Sequence, residues 1–190
     1  MRLALSVVFA LAAAASAATS VEAPKTVKPK TPSDTIAALI KHQPPKGWRV
    51  EEYSNGGGAD PVVAYTDGLD RITVRAFGAP GSGYKNTASF LSGPAAGTMG
   101  HKPEKAGLVT VAGRKLPLYK HGLPINLGDP HVPSGPPMMG REIFCLLPAS
   151  GGRFIVLAYS RESPAPDLEG LGEKAWAAFL KTVKLPGRKT

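Results

Sequence analysis

The chain has 190 residues, a single cysteine and a formal net charge of +9. Residues 46–180 contain 14 Lys or Arg and 12 Asp or Glu, so most of the excess positive charge lies near the two ends. A basic stripe with interleaved aromatic residues is missing, which predicts no nucleic-acid partner. One cysteine excludes an intramolecular disulfide, and the length suits one domain.

The N-terminus is predicted to be a secretory signal peptide, residues 1–17. Met1-Arg2 is positively charged, Leu3–Ala15 is apolar, and Ala15-Ser16-Ala17 is a small-residue cleavage site. The apolar run is shorter than the roughly 20 residues that a membrane helix needs. Cleavage is expected after Ala17, with Ala18 as the alternative. Because no cysteine stands at this site, we expect a released, soluble protein in the periplasm or outside the cell, not a lipoprotein.

The remainder divides into three parts. Residues 18–32 are rich in proline and lysine and predict a flexible linker. Residues 33–185 are assigned to a single α+β domain, and residues 186–190 to a basic tail. The domain is expected to begin with a helix, Asp34–His42, which Ser33 caps. The apolar stripe of this helix consists of Ile36, Leu39 and Ile40.

The first strands follow this helix. Trp48–Tyr53 predicts one strand, and Val62–Thr66 and Arg71–Phe77 predict a hairpin around Asp67-Gly68. In the second arm of the hairpin apolar residues alternate with polar ones, which predicts one buried face and one wet face. The polar residues, Arg71, Thr73 and Arg75, form a candidate contact face. A plain solvated sheet face is the alternative.

Two further pairs of strands are predicted. Leu108–Val111 and Arg114–Lys120 form a hairpin, in which Pro117 cannot donate a ladder hydrogen bond. Its strand is therefore expected at a sheet edge or with a bulge. Glu142–Leu147 and Arg153–Tyr159 are apolar at both alternating positions, which is typical of strands covered on both faces at the centre of a sheet.

Helices complete the predicted fold. A short helix is expected at Thr87–Ser92, and a C-terminal amphipathic helix at Gly172–Val183, where Phe179 and Trp176 belong to the apolar face. We therefore predict an α+β fold: an antiparallel sheet of about six strands with a C-terminal helix and one or two short helices packed on it.

Six segments between residues 44 and 185 carry a resemblance to a known fold. They are Gly47-Trp48-Arg49-Val50, Arg71-Ile72-Thr73-Val74, the short helix near Phe90, the Gly113-Arg114 hairpin, residues 152–157 and residues 176–180. In this order they resemble the PsbP-like fold of photosystem II extrinsic proteins and of small secreted bacterial proteins such as the LpqN and DcrB groups. The resemblance implies a non-enzymatic accessory or binding role and no active-site residue. It does not include the proline-rich segment 121–140.

Motifs of nucleophilic, phosphate-binding or zinc-dependent catalysis do not occur in the sequence: it contains no G-x-S-x-G, P-loop, H-E-x-x-H or C-x-x-C. Cys145 lies within an apolar run, which predicts a small buried hydrophobic residue rather than a nucleophile. Asp67 and Asp70 flank a predicted turn, where turn chemistry explains them. We therefore assign no catalytic residue, no cofactor and no metal.

The segment His121–Gly140 supports a binding-site hypothesis. It contains five prolines and four glycines, and long segments without secondary structure are often functional. The candidate binding residues are His121, Asp129, His131, Met138 and Met139. Imidazole and thioether groups suit copper, but the segment has no ligand spacing. A proline-stiffened surface loop with both methionines against the sheet is the alternative. The loop at residues 93–105 adds Met99 and His101 as further candidates.

Two classes of function remain. The favoured hypothesis is a periplasmic or secreted accessory or binding protein, with another envelope protein or a small ligand as partner and no membrane span. The alternative is an envelope enzyme of the hydrolase type, with a site built from loops 93–105 and 121–140. The sequence leaves the oligomeric state open.

Overall fold

The computed structural model describes residues 30–97, 102–125, 138–161 and 171–187. The predicted signal peptide, residues 1–17, and most of the predicted linker lie outside the described residues. Among the described helices, none is long and apolar enough to cross a membrane.

Seven antiparallel strands and three α-helices make up the described part of the chain. The strands are β1 Arg49–Asn55, β2 Asp60–Asp67, β3 Asp70–Phe77, β4 Glu104–Val111, β5 Arg114–Ile125, β6 Met138–Pro148 and β7 Phe154–Arg161. The helices are α1 Pro32–Ala37, α2 Thr87–Leu91 and α3 Leu171–Thr182, and short 3-10 turns occupy Gly56–Gly58 and Pro94–Ala96. The strands form one sheet in the order β1-β2-β3-β7-β6-β5-β4. The predicted α+β class is confirmed, with seven strands in place of about six.

The two strands that are apolar at both alternating positions lie where the sequence predicts them. β7 is the fourth of the seven strands, and β6 is its neighbour. Side chains 154–160 of β7 are all buried. Strands of this composition need cover on both faces, and the helices provide it from opposite sides of the sheet.

One face of the sheet is covered by α1 and α3. The α3 side chains Trp176, Phe179 and Leu180 pack with Ile36 of α1 and with the inward residues of the sheet. Cys145 is fully buried in this core, which confirms its interpretation as a small hydrophobic residue. Burial raises the pKa of the Cys145 thiol to about 12, so it remains protonated at neutral pH.

The opposite face is covered at one end by α2 and the 3-10 turn that follows it. Phe90 of α2 lies at the centre of this second cluster, with ring centroids 5.3 Å from Phe77, 5.8 Å from Phe144 and 6.1 Å from Phe154. Asn86 caps α2, because its Oδ1 accepts a hydrogen bond from the Ser89 N–H at 2.8 Å. The helix is therefore anchored at both its start and its apolar face.

Both predicted hairpins are present, and their turns show why the sequence identified them. Asp67 pairs with Asp70 across Gly68-Leu69, and Gly68 adopts a positive φ of 60°. Val111 pairs with Arg114 across Ala112-Gly113, where both turn residues have positive φ. Two-residue turns of this kind match the twist of antiparallel strands.

The start of α1 differs from the prediction. The helix begins at Pro32 and is capped by Thr31, whose Oγ1 accepts from the Asp34 N–H while Asp34 Oδ2 accepts from the Thr31 N–H, both at 3.1 Å. This reciprocal arrangement satisfies two backbone donors at once. Ser33 instead donates its hydroxyl to Glu52 of β1 at 2.6 Å.

The predicted edge position of the strand containing Pro117 is wrong. This strand, β5, lies between β6 and β4. Its pairing with β6 begins only at Leu118, so Pro117 precedes the paired residues on that side and no ladder bond is lost there. The alternative, a bulge in this strand, is also not found: the register shift of the hairpin lies in the partner strand, between Lys105 and Gly107 of β4.

Candidate functional site

Strands occupy both ends of the segment predicted to lack secondary structure. β5 continues through Ile125 and β6 begins at Met138, with Ile125 paired to Met138 and His121 to Glu142. The prediction of a loop from His121 to Gly140 is therefore wrong at its ends. It failed because Pro124 and two glycines, which normally interrupt strands, are accommodated within this pair of strands.

Of the five candidate binding residues, His121 is the one whose side chain the structure describes. Asp129 and His131 lie outside the described residues, as do Met99 and His101 of the other loop. Met138 and Met139 are on the β6 backbone, at the far end of its pairing with β5. The structure therefore does not bring the five residues together as a described site.

His121 instead belongs to a buried charged group on the sheet face that α2 partly covers. Its Nε2 lies 3.1 Å from Glu142 Oε1, and its ring meets the Phe144 ring edge-on with centroids 5.8 Å apart. The same Oε1 accepts from Arg75 Nη2 at 2.9 Å. The side chains are 6%, 9% and 16% exposed for His121, Glu142 and Arg75 respectively.

Arg75 reaches Glu142 diagonally across the sheet. Arg75 lies opposite Val156 of β7, whereas Glu142 lies opposite Ser160, four residues further along β7. The side chain between them on this face is the short Ala158, which leaves room for the guanidinium to cross. The guanidinium carbon also lies 5.8 Å from the centroid of the Phe90 ring, a cation–π contact.

The ionisation of Glu142 is set by opposing effects. Burial alone would raise the pKa of its carboxyl, because a charge loses solvation inside the protein. The Arg75 guanidinium and the His121 imidazole outweigh burial and hold the pKa below its ordinary value. Glu142 is therefore an ionised acceptor at neutral pH, not a proton donor.

Strand register extends this group across five strands. Thr66 of β2 pairs with Arg71 of β3, Arg71 with Ser160 of β7, Ser160 with Glu142 of β6, and Glu142 with His121 of β5. Thr73 and Arg75 follow Arg71 on the same face of β3. We call these seven residues the polar cluster: Thr66, Arg71, Thr73, Arg75, His121, Glu142 and Ser160.

The sequence predicted that the polar residues of β3 lie on a solvent-exposed face, and this prediction is wrong at Thr73. Thr73 is buried, as are Thr66, Glu142 and Ser160, although all four are polar. Arg71, at the margin, is less buried and pairs with Glu51 of β1 at 2.9 Å. Alternation along one strand reveals which residues share a face, but not whether something covers that face.

Three buried atoms of the polar cluster make no hydrogen bond. They are Thr66 Oγ1, Thr73 Oγ1 and Arg75 Nε. A buried polar group without a partner costs about 1–3 kcal/mol of stability. Such groups are unusual in native proteins, and they mark places where a water, ion or ligand supplies the missing partner.

A second ionic group, which also contains an unpaired buried nitrogen, Arg161 Nε, lies at the start of α3. There the Tyr159 hydroxyl donates to Asp70 Oδ1 at 2.6 Å, and Arg161 Nη1 lies 3.6 Å from the same atom. Asp70 packs so closely against Gly172 that a Cβ at that position would collide with its carboxylate. This group fixes the N-terminus of α3 to the sheet and therefore has a structural explanation.

The polar cluster contains no metal-ligand set. Among the described residues, no three His, Cys, Asp or Glu side chains lie close enough together to hold a metal ion. Sequence reasoning missed Glu142, because it begins a strand that is otherwise apolar. It did single out Arg71, Thr73 and Arg75, and their alternation on one strand was the available signal.

No protein-family model matches the chain, and no curated protein matches it. The polar cluster is therefore the feature of the molecule from which a function is inferred.

Proposed function

We propose that this protein is a released binding protein of the bacterial periplasm, without enzymatic activity, which holds a small polar ligand at the polar cluster. The observation that carries the proposal is the set of three unpaired buried atoms, Thr66 Oγ1, Thr73 Oγ1 and Arg75 Nε, on one face of the sheet.

The free-energy cost of these atoms supports a ligand. A buried hydroxyl or guanidinium N–H that makes no hydrogen bond costs about 1–3 kcal/mol. A core made only for stability would place apolar side chains of the same size there. A ligand that supplies the missing hydrogen bonds explains why polar side chains are kept at these positions.

The ionic state of the cluster argues against a role for Glu142 as a general acid. Glu142 is held ionised by Arg75 and His121, so its carboxylate is already engaged and does not donate a proton at neutral pH. The PsbP-like resemblance, which remains part of the proposal, likewise implies an accessory or binding role. The hydrolase alternative stays a prediction from the sequence.

The periplasmic location rests on the signal peptide inferred from residues 1–17. N-terminal sequencing of the protein recovered from a periplasmic fraction tests it, and we expect the chain to begin at Ala18. A protein recovered from the cytoplasm with Met1 intact would contradict the location.

The binding role is tested with the isotope-labelled processed chain, Ala18–Thr190, and a protein-free small-molecule extract of bacterial periplasm. We expect the amide resonances of Thr73, Glu142 and Ser160 to shift with saturation as extract is added. Thr73→Val should weaken the response, whereas the control Thr110→Val, at an exposed position of β4, should not. Absence of any shift at the polar cluster, or the same response in Thr73→Val, would contradict the proposal.

A further inference from the structure

We infer that the ligand of the polar cluster carries an anionic group of the carboxylate or phosphate class, bound beside Thr73 between Arg71 and Arg75. This inference rests on the proposed binding function and specifies its ligand.

The first argument is the type of hydrogen bond that is missing. Arg75 Nε can only donate, and the Thr66 and Thr73 hydroxyls can both donate. The acceptor nearest to Arg75, Glu142 Oε1, already takes hydrogen bonds from two groups. A ligand that completes the cluster must therefore offer several acceptor oxygens, as a carboxylate or a phosphate does.

The second argument is the balance of charge on this face. Arg71 and Arg75 are fully charged, and the facing carboxylates are Glu51 and Glu142. Each carboxylate contacts one guanidinium nitrogen at 2.9 Å, whereas a guanidinium has five N–H donors. Both arginines therefore keep donors for a further anion. The planar guanidinium matches carboxylate and phosphate better than it matches a neutral hydroxyl.

The third argument is spacing. Thr66 lies opposite Arg71, so it is the diagonal neighbour of Thr73, and diagonal neighbours in antiparallel strands are about 7–8 Å apart. Thr73 and Arg75 are successive residues on one face of β3, about 7 Å apart along the strand. One anionic group above Thr73 can therefore accept from both hydroxyls and from Arg75 Nε. Charge-assisted hydrogen bonds of this kind are about twice as strong as neutral ones.

The test is a titration of the isotope-labelled processed chain with inorganic phosphate, with acetate and with glucose as the neutral probe, at constant ionic strength. We expect saturable shifts at the Thr73 and Arg75 amides with phosphate or acetate, and none with glucose. A comparison of the affinity for phosphate with the affinity for acetate then shows whether the ligand carries a phosphate or a carboxylate group.

Variants show whether the anion uses the inferred donors. Thr73→Val removes one donor at nearly constant volume, and Arg75→Lys keeps the charge but removes Nε. We expect each to weaken binding about tenfold, while Arg114→Lys, at an exposed position, leaves it unchanged. If Arg75→Lys does not fold, the titration of Thr73→Val alone tests the inference.

Each outcome separates this inference from the proposed function. Shifts with glucose alone would overturn the anionic ligand but keep a binding site. Anion shifts that are linear, or unchanged in Thr73→Val, would show adventitious binding and overturn the inference. No shift with the three probes, together with a response to periplasmic extract, would overturn the anionic class only. No response to either would overturn both.

Discussion

Thr73→Val should stabilise the ligand-free protein, although it replaces a polar residue in a region proposed to be functional. Thr73 is buried in the sheet, and its Oγ1 has no hydrogen-bond partner. Valine replaces the hydroxyl with a methyl group of similar size, so the desolvation cost of the hydroxyl disappears and apolar burial is gained. Since an unpaired buried polar group costs about 1–3 kcal/mol, we expect the free energy of unfolding to rise by about 1–2 kcal/mol.

Urea unfolding followed by circular dichroism measures this change. A melting temperature should rise by about 2–4 °C for each kcal/mol in a domain of this size. Two other threonines provide matched controls for the same substitution. Thr110→Val, at an exposed strand position, should change stability by less than about 0.5 kcal/mol. Thr182→Val should destabilise, because Thr182 Oγ1 accepts from the Gln43 N–H at 3.0 Å and donates to the Phe179 carbonyl at 2.7 Å.

The reasoning fails if Thr73→Val lowers stability as Thr182→Val does. That result would mean that the Thr73 hydroxyl is already satisfied, for example by a buried water. The cluster would then be a hydrated structural element, and the argument for a ligand would lose its main observation.

Three other predictions follow from single residues. Glu142→Gln should destabilise the protein by about 3 kcal/mol at pH 7, since it leaves Arg75 buried without its counter-charge. The pKa of Glu142 is lowered in the folded state, so this stabilisation is present above pH about 4.5 and is lost as the pH falls through the folded pKa. Cys145 should resist iodoacetamide until the protein is unfolded, because it is fully buried with a thiol pKa raised to about 12. Gly172→Ala should destabilise by about 1–3 kcal/mol despite the higher helix propensity of alanine, because the new Cβ collides with Asp70.

Each of these has a result that would contradict it. For Glu142→Gln, urea unfolding at pH 7 and pH about 3.5 should show the difference from wild type shrinking in acid, so a constant difference would refute the ionic explanation. For Cys145, mass spectrometry should find alkylation in urea only. For Gly172→Ala, the control is Gly187→Ala, where a Cβ meets no atom within 4 Å. If the two substitutions changed the free energy of unfolding equally, the explanation by a collision with Asp70 would be refuted.

Much of the fold could be predicted because its signals are local. The turns Gly68-Leu69 and Ala112-Gly113 need positive φ, and the glycines in the sequence mark both hairpins. β6 and β7 have no polar stripe over most of their length, so they must be covered on both faces. The same local reasoning failed at Pro124, because a proline that usually interrupts a strand is accommodated here within the pairing of β5 with β6.

Local patterns along the chain were therefore enough to predict the fold class, the hairpins, the central strands and the burial of Cys145. The polar cluster, in contrast, forms through contacts between residues that are far apart in the sequence. Arg75 is 67 residues from Glu142, and His121 is 21 residues from it, so no local pattern links them. They meet because β7, the last of the described strands, lies between β3 and β6 and presents the short Ala158 to this face. Alternation along β3 identified Arg71, Thr73 and Arg75 as one face, but the burial of that face depends on packing between distant parts of the chain.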